Sequence, residues 1–493
     1  MIKSGAGLQS GPGEVFRRRQ NGRMQAVEDY VATLGLDAYV VGGAVRDELL
    51  GLQSKDADFL VLGVDMLGLR QALEPHGRVE DLIVADRPVG VRLFPRNRDL
   101  RAAAPAGIEF APPRREQSTG PGRHDFVIVI DPSASVEDDL GRRDFTVNAI
   151  ARHLDDGRLV DPFDGIADLE RHILRTVSSR SFAEDPLRIV RGLRLVAQLG
   201  LEPDVETLRQ MREEARSVAL VSGERVGGGL AADGMGELSK LLLGRDPRRA
   251  LRLARDTGVL VELLPEFGKA VGFDQESLYH DLTVDEHTFA VVQAAADAGM
   301  PLRVRLATLF HDLGKPHVAW RGSDRRLHFY ARRGRRDHAE VSAQLADGAL
   351  RRLRYPNELR EDVVRIIRFH MFDVGRADEV RARRLLRRHG DRLALDLIDH
   401  KEADLIGKGD EGPRDVEELE RLRRFRRVVE GQLVSPHRLS DLAVDGMDLI
   451  AIGYRPGPAL GKTLAGLLDA VVEEPSLNRR ETLLARAEEL LQQ

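Results

Sequence analysis

The stretch VVGGAVRDELLGLQSKDADFLVLG, from Val40 to Gly63, constrains the fold of this chain more than any other. An apolar run ends in two glycines, an Arg-Asp pair follows, and two aspartates one residue apart open a second apolar run. In a strand, residues two apart point to the same side, so Asp56 and Asp58 are expected to face one site. Two carboxylates that close repel unless a cation lies between them, and an oxygen-preferring divalent ion such as Mg²⁺ meets that demand. The Gly42-Gly43 turn lets backbone amides approach a phosphate, with Arg46 beside it as a charged donor. A bare pair of aspartates at a strand start is more often simply polar. The glycine turn upstream and the apolar strand downstream move the reading toward phosphoryl transfer.

The chain has 493 residues, enough for roughly three or four domains. It contains no Cys, which excludes disulfides, thiolate zinc sites and cysteine nucleophiles and fits a reducing, cytoplasmic setting. The formal net charge of -5 gives no global attraction to polyanions, so any nucleic-acid site must be a local basic patch. No apolar stretch is long enough to span a bilayer, and the basic start lacks the apolar centre of a secretory signal. AYVV, DFLVLG, PVGVRLF, GIEFA and DFVIVI read as strands between Gly, Pro and Asp clusters. From Phe182 onward, apolar residues recur at three- and four-residue spacing, as in amphipathic helices. The fold class expected is α+β: a small mixed-sheet head followed by mostly α-helical domains. GERVGGGLAADGMGE reads as a loop between helices, and the Gly-, Pro- and Arg-rich segment Pro112–Arg123 as a mobile loop. In FAEDPLRIVRGLR, Pro186 suits the first helical position and Asp185 the N-cap, and Arg188, Arg191 and Arg194 then share one helix face.

GGAVRDELLG with KDADFLVLG, then GRRDFTVNAIA, LVDPFDGIADLERHILRTV and FAEDPLRIVRGLRLVAQLGL, resemble in order the motifs of the class II nucleotidyltransferases. These are the bacterial tRNA nucleotidyltransferases (CCA-adding enzymes) and their relatives, the poly(A) polymerases. The resemblance implies Asp56 and Asp58 as Mg²⁺ ligands, with Glu109 of GIEFA as a third carboxylate. It implies Gly42, Gly43 and Arg46 at the triphosphate, and Arg142, Arg143, Asp144 and Asn148 around the incoming nucleotide. Asp185 and Arg188 would hydrogen-bond the base edge, while Arg191 and Arg194 hold phosphate or the site itself. The Pro112–Arg123 loop would matter for the switch from C to A addition. The implied reaction is untemplated addition of CCA, or part of it, to the 3′ end of tRNA from CTP and ATP, with pyrophosphate released. A CC-adding or A-adding specialist shares every motif quoted, and a poly(A) polymerase shares the head.

Downstream, HDLGK with His287, His338, His370 and Asp404 resembles an HD domain, a helical metal-dependent phosphohydrolase. His287, His311, Asp312 and Asp404 would match its metal ligands, with His338 and His370 available to a second ion. Imidazole with carboxylate suits a transition metal better than Mg²⁺. Such a set also persists in purely structural HD domains, and the alternative in which this chain is chiefly an HD phosphohydrolase stays open. Lys315 would touch phosphate or end a helix in solvent. The last segment, VDGMDLIAIGYRPGPALGKT onward, resembles the tail of such enzymes, with Gly453, Pro456, Gly457 and Gly461 shaping a turn and Lys462 reaching RNA. The expected division is a lead-in and first helix (1–35), a nucleotidyltransferase head (36–178), a neck (179–270), the HD domain (271–410) and a tRNA-binding tail (411–493). The tRNA acceptor stem and nucleoside triphosphates are the partners implied, with no membrane. The segment GGGLAADGMG departs from the family pattern and bears on the neck.

Overall fold

The computed structural model describes residues 12–53, 58–84, 87–118, 126–228, 235–276, 282–329, 337–408 and 413–492. The chain divides into two compact units, Met1–Pro265 and Glu266–Gln493.

The first unit is built on strands β1 (Ala38–Val41), β2 (Asp58–Val61), β3 (Gly77–Val84), β4 (Arg87–Pro95), β5 (Ile108–Ala111), β6 (Arg114–Ser118), β7 (Phe126–Ile130), β8 (Ala151–His153) and β9 (Leu159–Val160). Seven of them form one sheet in the order β3-β4-β5-β2-β1-β8-β9, while β6 and β7 make a separate antiparallel ribbon. Within the large sheet only β2 and β5 run parallel. The AYVV strand is buried along its whole length, as a central strand covered on both faces requires. Tyr39, Val41 and Leu60 pack with Val136, Leu140, Ala149 and Ala151. Phe59 and its register partner Phe110 stack at 5.4 Å.

Between β1 and β2 the chain turns at Gly42, whose φ of 75° lies in the left-handed region. This conformation calls for glycine, and a Cβ there would also meet Arg143 Nη1 at 2.6 Å and push its guanidinium aside. The helix Gly43–Leu49 starts immediately after it. The helix Leu187–Leu199 is buried at Leu187, Ile189, Val190, Gly192, Leu193 and Leu195–Ala197, leaving the three arginines to a single side. At Gly192 an added Cβ would meet the Phe145 ring at 2.9 Å, which measures how tightly this helix lies on the head.

Three expectations change. The helix begins at Leu187, with Pro186 at the N-cap, one residue later than expected; the Asp185 carboxylate still accepts from the Leu187 N–H at 3.1 Å. Arg114–Ser118, expected within a loop, is a strand, because its backbone pairs with Phe126–Ile130 whatever its polar side chains prefer. Residues 119–123 of that segment lie outside the described residues. Glu224–Gly228, expected as loop, is one π-helical turn, and 229–234 are not described.

The second unit is helical. Helices Val284–Asp297, Leu302–Phe310, His338–Arg352, Asn357–Phe369 and Asp391–Ile406 surround one polar centre. A neighbouring core joins Leu386, Ala394, Ile398 and Leu405 to Leu422, Phe425 and Val429 of the helix Pro413–Gln432. Toward the end, Val444, Leu449, Tyr454, Leu467, Val471 and Leu483 form a third core. The helix Pro458–Glu473 follows Gly457 (φ 149°), and Lys462 on it is exposed. Among the described residues no helix is long and apolar enough to cross a membrane.

Candidate active sites

Asp58 is the first residue of β2 and stands directly opposite Glu109 in the parallel register with β5. Register partners on adjacent strands lie about 4.8 Å apart and project to the same side, and both residues line one cavity of about 660 Å³. Glu109 is ion-paired with Arg92 of β4, whose Nε lies 3.1 Å from it. Two adjacent carboxylates opening into a polar cleft are the donor set a hard divalent cation takes. Asp56 lies outside the described residues.

Every other transferase residue expected from the sequence lines the same cavity: Gly42, Gly43, Arg46, Arg142, Arg143, Asp144, Asn148, Asp185, Arg188, Arg191 and Arg194. Nine arginines face five carboxylates there, a balance suited to a polyanion such as a triphosphate. Asp144, only 6% exposed, ties the wall together. It accepts from Arg191 Nε at 2.7 Å, Asn148 Nδ2 at 2.9 Å and the Phe145 N–H at 2.9 Å. Burial alone would raise its pKa, but the Arg191 guanidinium and the Asn148 bond outweigh it and hold the carboxyl well below the usual range. The same pairing raises Arg191. Asn148 in turn accepts from Arg46 Nη1 at 2.5 Å, so the chain of contacts reaches from the Leu187–Leu199 helix to the glycine turn. Fully buried Asp139 pairs with Arg142 (2.7 Å) and Arg143 (3.2 Å), which outweigh its burial and lower its pKa. Arg194 pairs with Glu237 at 2.9 Å.

The same cavity holds Asp185 and Arg188. Arg188 donates from Nη2 to the Arg142 carbonyl at 2.8 Å and from Nη1 to Ser181 Oγ at 3.1 Å, which fixes the plane of its guanidinium. Asp185 receives a bidentate pair from Arg225, at 3.1 and 2.7 Å. The sequence reading missed Arg225; it stands 40 residues from Asp185, on a turn expected as loop.

In the second unit, His287, His311, Asp312, His338 and His370 converge, all buried, with Asp404 beside them. His287 Nε2 lies 3.4 Å from Asp312 and 3.2 Å from Asp404; His311 Nε2 lies 3.3 and 3.6 Å from the same two. Each histidine directs Nδ1 at a backbone carbonyl: Gly407 (3.1 Å), Thr308 (2.8 Å), Phe329 (3.2 Å) and Ile367 (2.7 Å) for His287, His311, His338 and His370. A carbonyl can only accept, so Nδ1 carries a proton and Nε2 faces inward, as in histidines that bind metals. His338 and His370 bring their Nε2 atoms to 3.4 Å, a repulsive arrangement for two lone pairs unless a cation joins them. Ligand atoms of His287, His311 and Asp312, and separately of Asp312, His338 and His370, lie within 4.8 Å of one another. The residues therefore fit a metal, and a second ion beside it. Burial opposes a charge on His311, but Asp312 and Asp404 overcome this and push it up to about 10. Burial and the neighbouring histidines push His370 down to about 3.

Lys315, one of whose expected settings was solvent, is 8% exposed and donates to Asp312 (2.6 Å) and Gln275 (2.6 Å). His400 was not foreseen. It is fully buried, packs its ring 5.1 Å from His311 and 5.4 Å from His370, and neither of its nitrogens has a hydrogen-bond partner among the described residues. Its signal in the sequence was its place one helical turn before Asp404.

Three family models match the chain. Residues 38–175 match the poly A polymerase head domain, 200–270 the "Probable RNA and SrmB- binding site of polymerase A", and 284–418 the HD domain. Fold and site together make the first unit a nucleotidyltransferase. The chain is 37% identical over 366 residues to a multifunctional CCA protein of Alkalilimnicola ehrlichii, covering 71% of this chain and 78% of that one. It is 36% identical over 389 residues to that of Azoarcus sp., covering 76% and 85%. This chain belongs to the family of the multifunctional CCA proteins. Its fold is shared by the Bacillus stearothermophilus CCA-adding enzyme solved in complex with CTP, at a TM-score of 0.66, 24% identity and coverage of 96% and 98%. The Thermotoga maritima CCA-adding enzyme complexed with tRNA is a further likeness, at a TM-score of 0.52, 19% identity and coverage of 98% and 97%.

Proposed function

We propose that this chain is a cytoplasmic tRNA nucleotidyltransferase that builds the 3′-terminal CCA from CTP and ATP without a nucleic-acid template. The observation that carries the reading is the meeting of Asp58 and Glu109 with Asp185 and Arg188 in one arginine-lined cavity. In the reaction the terminal 3′-hydroxyl of tRNA attacks the α-phosphorus of the nucleotide, the bond to the β-phosphate oxygen breaks, and pyrophosphate leaves. Asp56, Asp58 and Glu109 would hold Mg²⁺, which when bound stabilises the attacking and leaving oxygens. Gly42, Gly43 and Arg46 orient the triphosphate, while Arg142, Arg143 and Asp144, with Asn148, set the wall against which it lies. Asp185 accepts the exocyclic amino group of C or A and Arg188 donates to the neighbouring ring nitrogen, so both bases satisfy one pocket. Arg191 holds that helix to the head through Asp144, and Arg194 pairs it with Glu237 of the helix Glu237–Leu242. The chain organisation that goes with this reading is head, neck, HD domain and tail, with tRNA gripped by shape and phosphate contacts.

The inward-facing histidines support a second activity in the other unit, hydrolysis of a phosphoester. His287, His311, Asp312 and Asp404 would hold a transition metal, which when bound would activate water for attack on phosphorus. Separation of function tests both assignments. Asp58→Asn is expected to lower nucleotide addition at least about a hundredfold and leave phosphoester hydrolysis intact, and Asp312→Asn to do the reverse. Loss of neither activity by either change would overturn both sites.

A further inference from the structure

The base-facing carboxylate of Asp185 is not free to present itself as it pleases. A carboxylate offers about four acceptor positions, two on each oxygen. On Asp185 Oδ1, one is taken by the Leu187 N–H at 3.1 Å and one by Arg225 Nη1 at 3.1 Å. On Oδ2, one is taken by Arg225 Nη2 at 2.7 Å. Among the described residues this leaves a single acceptor position, on Oδ2. A bidentate arginine also fixes the plane of the carboxylate, whose last torsion is otherwise broad.

Arg225 is itself held. Its turn, Glu224–Gly228, hands the Gly227 carbonyl to the Gly236 N–H at 3.2 Å and to Ser239 Oγ at 3.1 Å. At Gly236 a Cβ would meet the Val226 carbonyl oxygen at 2.3 Å, so the two strands of backbone close on each other only with glycine there. Ser239 belongs to the helix Glu237–Leu242, whose Glu237 pairs with Arg194 of the base-reading helix. Two ion pairs, Arg225–Asp185 and Glu237–Arg194, thus lock this turn and helix to the element that carries Asp185 and Arg188.

We propose that Arg225 is a positioning residue for base choice: by occupying the other face of the Asp185 carboxylate, it restricts the pocket to bases that present an amino group there. C and A offer an amino donor beside a ring-nitrogen acceptor, which matches one Oδ2 acceptor beside an Arg188 donor. U and G offer a carbonyl oxygen beside a ring N–H, the reverse order. With Arg225 in place, the carboxylate cannot turn to meet that N–H, and the carbonyl faces Oδ2 unpaired. This inference rests on the assignment of Asp185 and Arg188 as the base-reading pair.

The test compares kcat/KM for CTP, ATP, UTP and GTP on tRNA transcripts in wild type, Arg225→Gln, Arg225→Lys and Asp185→Ala, with thermal melting of each. Arg225→Gln is expected to lower the CTP:UTP and ATP:GTP ratios at least about tenfold, mostly by raising KM for the correct nucleotides and admitting the wrong ones. Arg225→Lys, able to hold only one oxygen, is expected to fall between. A uniform drop in rate with unchanged ratios would overturn the proposal. If Arg225→Gln does not fold, the ratios of Arg225→Lys decide. Should Asp185→Ala leave the ratios intact, the base-reading pair itself is wrongly assigned; if Asp185→Ala collapses them and the Arg225 variants do not, only the role of Arg225 fails.

Discussion

Replacing Asp144 by Asn leaves the shape of the wall nearly intact but removes the charge at its centre. The new amide can still accept from the Phe145 N–H and Asn148, yet its NH₂ turns a donor toward Arg191 Nε, which lies 2.7 Å from the carboxylate. Removing one partner of a fully buried ion pair costs about 3–5 kcal/mol. Asp144 is 6% exposed, but the Arg191 side chain is 38% exposed and water in the cleft screens the stranded charge, so about 2–3 kcal/mol is expected. For a unit of this size that corresponds to a fall of about 4–6 °C in Tm. The pH dependence has a definite sign. The carboxyl is held below its unfolded pKa, so its stabilising effect is complete above about pH 4 and is lost as pH falls further. Calorimetric melting of wild type and Asp144→Asn should therefore show a constant gap from pH 8 to pH 5 that begins to narrow only below about pH 4. A gap under about 1 °C, or one that disappears between pH 7 and pH 5, would refute this account of the wall.

Three further outcomes follow from the same geometry. Stripping the protein with a chelator and adding Mn²⁺, Co²⁺, Ni²⁺ or Zn²⁺ should stabilise the second unit by about 2.7 kcal/mol at a hundredfold excess over Kd, read as a raised Tm, and His370→Ala should lower the metal content per chain measured by elemental analysis. Gly42→Ala should lower nucleotide addition at least about tenfold, because its Cβ would meet Arg143 at 2.6 Å on backbone with φ 75°; unchanged kcat/KM would contradict the glycine-turn reading. His389 is pushed down to about 4 by burial and by Arg388 and Arg365, so its contribution is present above pH 6.5 and lost as pH falls from 6.5 toward 4. Because the ring is only partly buried, solvent screens the effect to about 1–2 kcal/mol, and the stability of His389→Gln should be correspondingly less sensitive to pH across that window.

The glycine turn and the strands around it were legible because each depends on local pattern, an apolar run and a residue free to take positive φ, whereas Glu109 was implied by the family resemblance and only the strand register sets it opposite Asp58. Strand β3 was not, because Arg78, Glu80 and Asp81 interrupt its apolar residues; it lies at the sheet edge and buries none of its described side chains. RREQS of β6 likewise takes its conformation from its partner strand rather than from its own preferences. Arg225 meets Asp185 from 40 residues away, which no local composition marks, while His400 was marked only by its place one helical turn before Asp404. Lys315 shows the same limit, since only the positions of Asp312 and Gln275 decide that its ammonium is buried.

The most direct measurement gives the purified protein tRNA transcripts ending before CCA, after C and after CC, with CTP, ATP or both, and Mg²⁺, and reads the products at single-nucleotide resolution. Completion of all three to CCA is the result predicted for one pocket, around Asp185 and Arg188, that reads both bases. Addition of C alone or of A alone would contradict the single-pocket account, and addition to none of the three would contradict the assignment of the first unit.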